Sequence, residues 1–311
     1  MIPEGPERFH GIYPSTVLPM RGGDFAPDWE AYARHTAECV LRPGMAGVLM
    51  NGHAGENFML SRAEKRRAVE VAVATVGASR IVVAGVNAES SLEAAQEAKE
   101  ARAAGADAIM IFLPNGFALA QTTEMALLHH RTILAAVPGM PCFLFAAHHA
   151  AGRMAFSEET LAALLDLPEV VGVKEGSWEV DRYDALRRIC KARRPDVAFC
   201  ASGDEHLLAC MVHGSDGSLV SLADVLPEEI VALDAAVRAG DLARARALHE
   251  RIEPLAEAIY GAPPAGRATA RLKFCLAEMG VIPDPAPRPP QPPVSPPEAA
   301  MLRAAMRSAG L

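Results

Sequence analysis

The sequence predicts a (β/α)8 barrel with a C-terminal helical extension, and three observations carry that prediction. Eight short apolar, β-branched runs alternate with segments of helical period, the pattern of parallel βα units. Eight such units favour closure, because a closed barrel has no unpaired strand edge. No glycine-rich dinucleotide fingerprint follows the first run, so an open doubly wound sheet loses its usual support.

In chain order the expected strands cover residues 11–17, 46–50, 81–86, 108–112, 142–146, 170–174, 198–201 and 217–221. The segments between them, 29–41, 63–76, 92–104, 124–137, 157–165, 182–192 and 207–213, are rich in good helix formers. Ser61 with Glu64, and Ser157 with Glu158 and Glu159, have the N-cap pattern in which a side-chain oxygen accepts an orphan backbone N–H. Residues 227–239 read as the closing helix, which places the barrel in residues 1–239. Residues 240–311 form a helical region, with helices expected at 241–260, 266–279 and 298–308. Between the last two, residues 283–297 are proline-rich and suit an extended strap rather than a helix or a central strand.

Composition narrows the partners. The 311 residues are 50% hydrophobic and 22% charged, enough to bury a large core. A formal net charge of −8 without any dense Lys/Arg block argues against a nucleic acid or an anionic membrane as partner, leaving a small molecule. No apolar run approaches the roughly 20 residues that span a bilayer. Pro3, Glu4, Pro6 and Glu7 stand where a secretory signal would need a basic and then an apolar segment, so a cytoplasmic location is expected. The six cysteines contain no CxxC pair, which points to neither a zinc knuckle nor a disulfide framework.

Barrel enzymes place their chemistry at the carboxyl ends of the strands. That rule selects Ser15 and Thr16, the loop Asn51-Gly52-His53-Ala54-Gly55-Glu56, residues 145–149, Lys174, Gly203 with Asp204, and residues 219–221. Lys174 ends an apolar strand, where a charge is expensive unless it is paired or neutralised. Desolvation lowers a lysine pKa, and a neutral amine is what attacks a keto carbon to form an imine. The competing reading is a lysine paired with Glu175 that merely closes the strand.

The strings Asn51-Gly52-His53-Ala54-Gly55-Glu56, Leu60-Ser61-Arg62-Ala63-Glu64, Val171-Gly172-Val173-Lys174-Glu175-Gly176-Ser177 and Ser202-Gly203-Asp204 together resemble the dihydrodipicolinate synthase / N-acetylneuraminate lyase family. The resemblance implies a class I aldolase-type barrel, a homotetramer, acting on pyruvate or another 2-keto acid with no metal and no cofactor beyond the imine. It places Lys174 on the Schiff-base lysine. It places Gly52, His53 and Ala54 on a Gly-Thr-Thr element that holds the substrate carboxylate, and Leu219 where a strand-eight carbonyl lines the pocket. Ser15 joins these as a binding residue from its place on the same face.

Two departures stand out. His53 and Ala54 replace two threonines, and Phe145 stands where the family has a proton-relaying tyrosine. His53 is the candidate replacement, because an imidazole titrates near neutrality. Arg153 lies only near the place of an arginine that binds the second substrate, which speaks against lysine-biosynthetic activity. Glu56 and Asp204 are expected to brace their loops, and His129 and His130 to sit on a helix away from the strand ends. Trp178 either borders the pocket or packs under a loop. The expected activity is a lyase, aldolase or dehydratase. Its alternatives are a non-catalytic keto-acid-binding paralogue and a metal-dependent enzyme using His53, His148, His149 and Glu56.

Overall fold

The structure is a computed structural model that describes residues 5–148 and 154–311. Its strands are β1 (Gly11–Pro14), β2 (Gly47–Met50), β3 (Ile81–Val86), β4 (Ala108–Ile111), β5 (Cys142–Ala146), β6 (Val170–Glu175), β7 (Ala198–Ala201) and β8 (Gly217–Val220). They pair in parallel in the order β1-β8-β7-β6-β5-β4-β3-β2. Parallel bridges Ile12–Met45 and Ser15–Leu49 join the first strand to the second and close the barrel. The first strand is shorter than its apolar run because the chain changes partner there: Ser15 N–H still donates to Val220 O at 3.0 Å, whereas Thr16 N–H donates to Leu49 O at 3.0 Å.

The crossovers are α1 (Trp29–Val40), α2 (Arg62–Val76), α3 (Ser91–Ala103), α4 (Thr123–Ala136), α5 (Glu158–Leu165), α6 (Val180–Arg193) and α7 (Leu207–Val212), with α8 (Pro227–Arg238) after the last strand. Ser61 and Glu64 form a full capping box on α2, and Ser157 caps α5 through the Thr160 N–H. Strand periodicity splits the core into two layers. Val170 and Val173 face the helices, while Tyr13, Leu49, Met110, Phe143, Cys200 and Leu219 fill the barrel interior. Gly172 is needed in that interior, since a Cβ there would lie 2.3 Å from the Phe143 ring. The missing side chain makes room for the Phe143 ring of β5, two residues before Lys174 along β6.

The C-terminal region adds α9 (Leu242–Ala256), a π-helical turn at Glu257–Gly261, α10 (Ala268–Glu278) and α11 (Pro296–Ala309). The proline-rich strap crosses the strand-end face of the barrel and is tied down by backbone and charge. Gly22 N–H donates to Asp284 Oδ2 at 2.7 Å, and Arg288 N–H donates to Glu56 Oε1 at 2.7 Å. The Arg288 guanidinium reaches Glu64 Oε1 at 2.7 Å and the carbonyls of Phe25 and Met59. Lys273 completes the attachment by pairing with Glu56 in a fully buried contact. Breaking one partner of a buried pair costs about 3–5 kcal/mol, so Glu56 anchors the extension to the barrel. Among the described residues no helix is long and apolar enough to cross a membrane, and all six cysteines are free and buried.

Candidate active site

Lys174 is on β6, in register between Phe145 on β5 and Cys200 on β7. Residues adjacent in register project to the same face of a sheet. Glu175 therefore points away from Lys174. Its carboxylate accepts the Ser177 N–H at 3.0 Å, and burial pushes its pKa up to about 7. Among the described residues Lys174 makes no ion pair within 4 Å, which removes the reading of a strand-closing Lys174–Glu175 pair. Its amine opens into a cavity of about 260 Å³, below the roughly 300–1,000 Å³ typical of drug-sized ligands. Burial lowers the pKa of this amine, and the nearby Asp204 carboxyl opposes that shift only in part.

One wall of the cavity is aromatic. The His53 ring lies 4.8 Å from Phe58, 4.8 Å from Phe112 and 5.2 Å from Phe145, centroid to centroid. The Lys174 ammonium position is 5.8 Å from the Phe145 centroid. His53 is itself exposed, at the rim of the cavity. The apolar surround, reinforced by the positive Lys174, holds its pKa below the ordinary imidazole range, so the ring is neutral at pH 7.

The loop carrying His53 has left-handed backbone at both ends, Asn51 (φ 52°) and Glu56 (φ 59°). Non-glycine residues in that region cluster at functional sites. Gly55 and Asn57 N–H donate to Gly52 O at 3.1 and 3.4 Å, and Glu56 N–H to His53 O at 3.0 Å. The His53 and Ala54 amides stay outside these turn hydrogen bonds, as a carboxylate cradle requires. Thr269 on α10 donates to His53 O at 3.3 Å, fixing the loop from the C-terminal side.

The other wall is polar. Asp204 is buried, and its Oδ1 accepts the Leu222 N–H at 2.8 Å. Burial raises its pKa, against the pull of that hydrogen bond and of Lys174. The Tyr260 hydroxyl lies 2.7 Å from Ser221 Oγ and lines the same cavity as Asp204. Burial holds the phenol far above its ordinary pKa, so it keeps its proton. Trp178 closes this side: it adopts left-handed backbone (φ 59°), donates to Ser202 O at 3.1 Å, and stands 5.2 Å from the His148 ring.

Of the residues selected from sequence, Ser15, His53, Ala54, Phe145 and Lys174 line the cavity together. Gly52 is buried behind the loop, where a Cβ would meet Ser15 Oγ at 2.9 Å. The Leu219 side chain is in the barrel interior and outside the cavity lining. Asp204 braces the turn after β8 through the Leu222 N–H and also lines the cavity that holds the Lys174 amine. His129 is not remote from the strand ends: its Nε2 lies 3.1 Å from Phe112 O, just past β4, and its Nδ1 is 2.9 Å from Ser91 Oγ. Burial holds both His129 and His130 below the ordinary imidazole range. His149 and Arg153 lie outside the described residues. The metal reading loses Glu56, whose oxygens are taken by Lys273 and Arg288.

Sequence reasoning missed Tyr260, Gln291 and Thr269 as cavity-lining residues. The one signal for Tyr260 was an aromatic residue at the end of a helix that runs into Gly261-Ala262-Pro263-Pro264. The π-helical turn there inserts one extra residue into the winding, a device frequent at functional sites, and it directs the phenol inward.

A model of the dihydrodipicolinate synthetase family matches residues 9–309. The 4-hydroxy-tetrahydrodipicolinate synthase of Nitrobacter hamburgensis is 31% identical over 304 residues, with 98% of each chain covered. That of Rhodopseudomonas palustris is 31% identical over 303 residues, with 97% of each covered. The dihydrodipicolinate synthase structures from Oceanobacillus iheyensis and Thermotoga maritima share the fold. Their TM-scores are 0.87 and 0.86, at 23% and 24% identity, covering 98% and 97% of this chain and 98% and 99% of theirs. With an eight-stranded parallel barrel, a desolvated lysine at its strand ends and these relatives along its whole length, the chain belongs to the dihydrodipicolinate synthetase family and is a lyase of the class I aldolase type.

Proposed function

We propose that this lyase acts on pyruvate or another 2-keto acid through an imine to Lys174, with proton transfer served by the polar wall of the cavity. The observation that carries the reading is an unpaired, desolvated Lys174 amine sharing one cavity with Asp204, Ser221 and Tyr260. The neutral amine attacks the C2 carbonyl. The carbinolamine hydroxyl takes a proton from the Asp204–Tyr260 pair and leaves as water, giving the protonated imine. Loss of a C3 proton to the resulting carboxylate gives the enamine, whose C3 attacks an aldehyde, or the steps run in reverse. Hydrolysis of the final imine returns the amine. The substrate carboxylate sits against the His53 and Ala54 amides, with Ser15 beside them. His53 is proposed as a neutral hydrogen-bonding partner of the substrate and a secondary route for its proton.

Among the described lining residues Lys174 is the only lysine or arginine. The second substrate is accordingly proposed to be an uncharged aldehyde flanked by apolar or aromatic groups, matching His53, Phe58, Phe145 and Trp178. Borohydride treatment with pyruvate, read by mass spectrometry, tests the imine: an adduct on wild type and none on Lys174→Ala is expected. No adduct with any 2-keto acid overturns it, and an adduct without turnover over an aldehyde panel leaves a binding protein. A homotetramer is proposed with it, and sedimentation as a monomer would refute that part.

A further inference from the structure

A second cluster of chemically capable side chains lies apart from the cavity around Lys174. His35 and Cys39 are four residues apart on α1, which places them on one face of that helix. Asp224 ends the turn Ser221–Asp224 after β8 and reaches the same point from the other side. The three are buried, with exposures of 0%, 2% and 4%, and their ligand atoms all lie within 4.8 Å of one another. His35 Nε2 stands 3.4 Å from Asp224 Oδ2, too poorly aligned to count as a hydrogen bond.

Both ring nitrogens of His35 and Oδ1 of Asp224 are buried without a hydrogen-bond partner among the described residues. Leaving such groups unsatisfied costs about 1–3 kcal/mol each, so a fold that keeps three of them together calls for an occupant. We propose that His35, Cys39 and Asp224 form a site for a zinc-type divalent cation that ties α1 to the turn after β8.

The donor set fits that class of ion. An imidazole nitrogen, a thiolate and a carboxylate oxygen are all zinc ligands, at about 2.0–2.3 Å from the metal. Tetrahedral donors at such lengths stand roughly 3.3–3.8 Å apart, a range that contains the 3.4 Å between His35 and Asp224. Binding releases the Cys39 thiol proton. The dication, thiolate and carboxylate then sum to zero, and no net charge is left in the interior. A fourth position faces a cavity of about 190 Å³ lined also by Glu38, Glu228 and Glu229, where water completes the shell. Asp224 Oδ2 already accepts the Val17 N–H at 2.9 Å, which fixes the carboxylate as outer-sphere partners fix metal ligands. The same turn carries Ser221 and Leu222 to the polar wall, so the ion would stiffen the support of Asp204 and Tyr260.

Cobalt(II) titration of the full chain after dialysis against a chelator tests this. One equivalent is expected to give tetrahedral d–d bands and a near-ultraviolet thiolate-to-cobalt band, and zinc is expected to raise the melting temperature. Cys39→Ser should remove the charge-transfer band, and Cys275→Ser should leave it. Absence of tetrahedral cobalt bands, or a thiolate band that persists in Cys39→Ser, overturns the proposal. Should Cys39→Ser fail to fold, zinc-edge X-ray absorption on wild type decides: one sulfur in the shell supports the site, and nitrogen and oxygen alone refute it.

Discussion

The two walls of the cavity come from different stretches of chain and do different physical work. The wall from β2, β4 and β5 is a stack of rings: Phe58, Phe112 and Phe145 around His53. The facing wall, from β7, β8 and the π-helical turn of the C-terminal region, gathers the Asp204 carboxyl, held by the Leu222 N–H, beside the hydrogen-bonded hydroxyls of Ser221 and Tyr260. The aromatic wall surrounds the lysine with apolar rings, and the only titratable group on it is His53, whose pKa is held low. The polar wall holds Asp204 at raised pKa opposite a lysine at lowered pKa, the opposed pair that acid–base chemistry needs. In the proposed mechanism a phenylalanine at position 145 does not by itself disarm the site, because the Tyr260 phenol lines the same cavity from the other side.

The largest expected effect breaks both walls' common purpose. Lys174→Met should lower kcat/KM by about 10³-fold or more and abolish the borohydride adduct, since neither wall can replace the nucleophile. Tyr260→Phe isolates the polar wall. Turnover should fall by about 10²-fold, the scale of one acid–base group, while slow imine trapping persists. Full activity in Tyr260→Phe would assign the proton work elsewhere.

Asp204→Asn gives a similar loss together with a pH signature. In wild type, activity should rise as the Lys174 amine deprotonates and fall as Asp204 ionises, leaving a narrow optimum near neutrality from two coupled groups. The asparagine variant should lose the alkaline fall. The sign for stability follows from the same shift. Asp204 has its folded pKa raised above the unfolded one, so its contribution is full below the unfolded pKa and is lost as pH rises through the folded value. Urea denaturation above neutral pH should therefore find Asp204→Asn the more stable protein.

The smaller effects test the aromatic wall. His53→Ala should cost up to about 10-fold in turnover, the worth of one neutral hydrogen bond to the substrate. Unchanged turnover would make the imidazole a spacer, and a loss near that of Tyr260→Phe would make it the main relay. Phe145→Tyr should change turnover by no more than about threefold, because the added hydroxyl joins a wall without a proton partner other than a neutral ring. A large gain in this variant would show that the polar wall is not the working relay.

Much of the barrel was legible because its information is local. The eight apolar runs and the helix-period segments between them mark β1 to β8 and α1 to α8 to within a few residues, as hydrophobic periodicity and capping act over a few neighbours. Lys174 stood out for the same reason, as a charge that ends a run of apolar strand residues. The reading of the extension was coarser. Residues 241–260 look like one helix, and nothing in their period announces that Glu257–Gly261 winds as a π-turn. The proline content of 283–297 excluded helix, but it could not say that Arg288 would lock onto Glu56 and Glu64.

By itself, then, the sequence determined the barrel and the lysine at the end of β6, while the place of Phe145 opposite a family tyrosine came from the resemblance. Only the tertiary structure decided that Glu175 turns away from Lys174, that Tyr260 joins Asp204 and Ser221 beside the amine, and that His35, Cys39 and Asp224 meet behind them. Local pattern sets which elements form, whereas desolvation, hydrogen bonding and ligand geometry depend on distances between side chains far apart in the chain, and those distances exist only once the barrel has closed and the C-terminal region has packed across it.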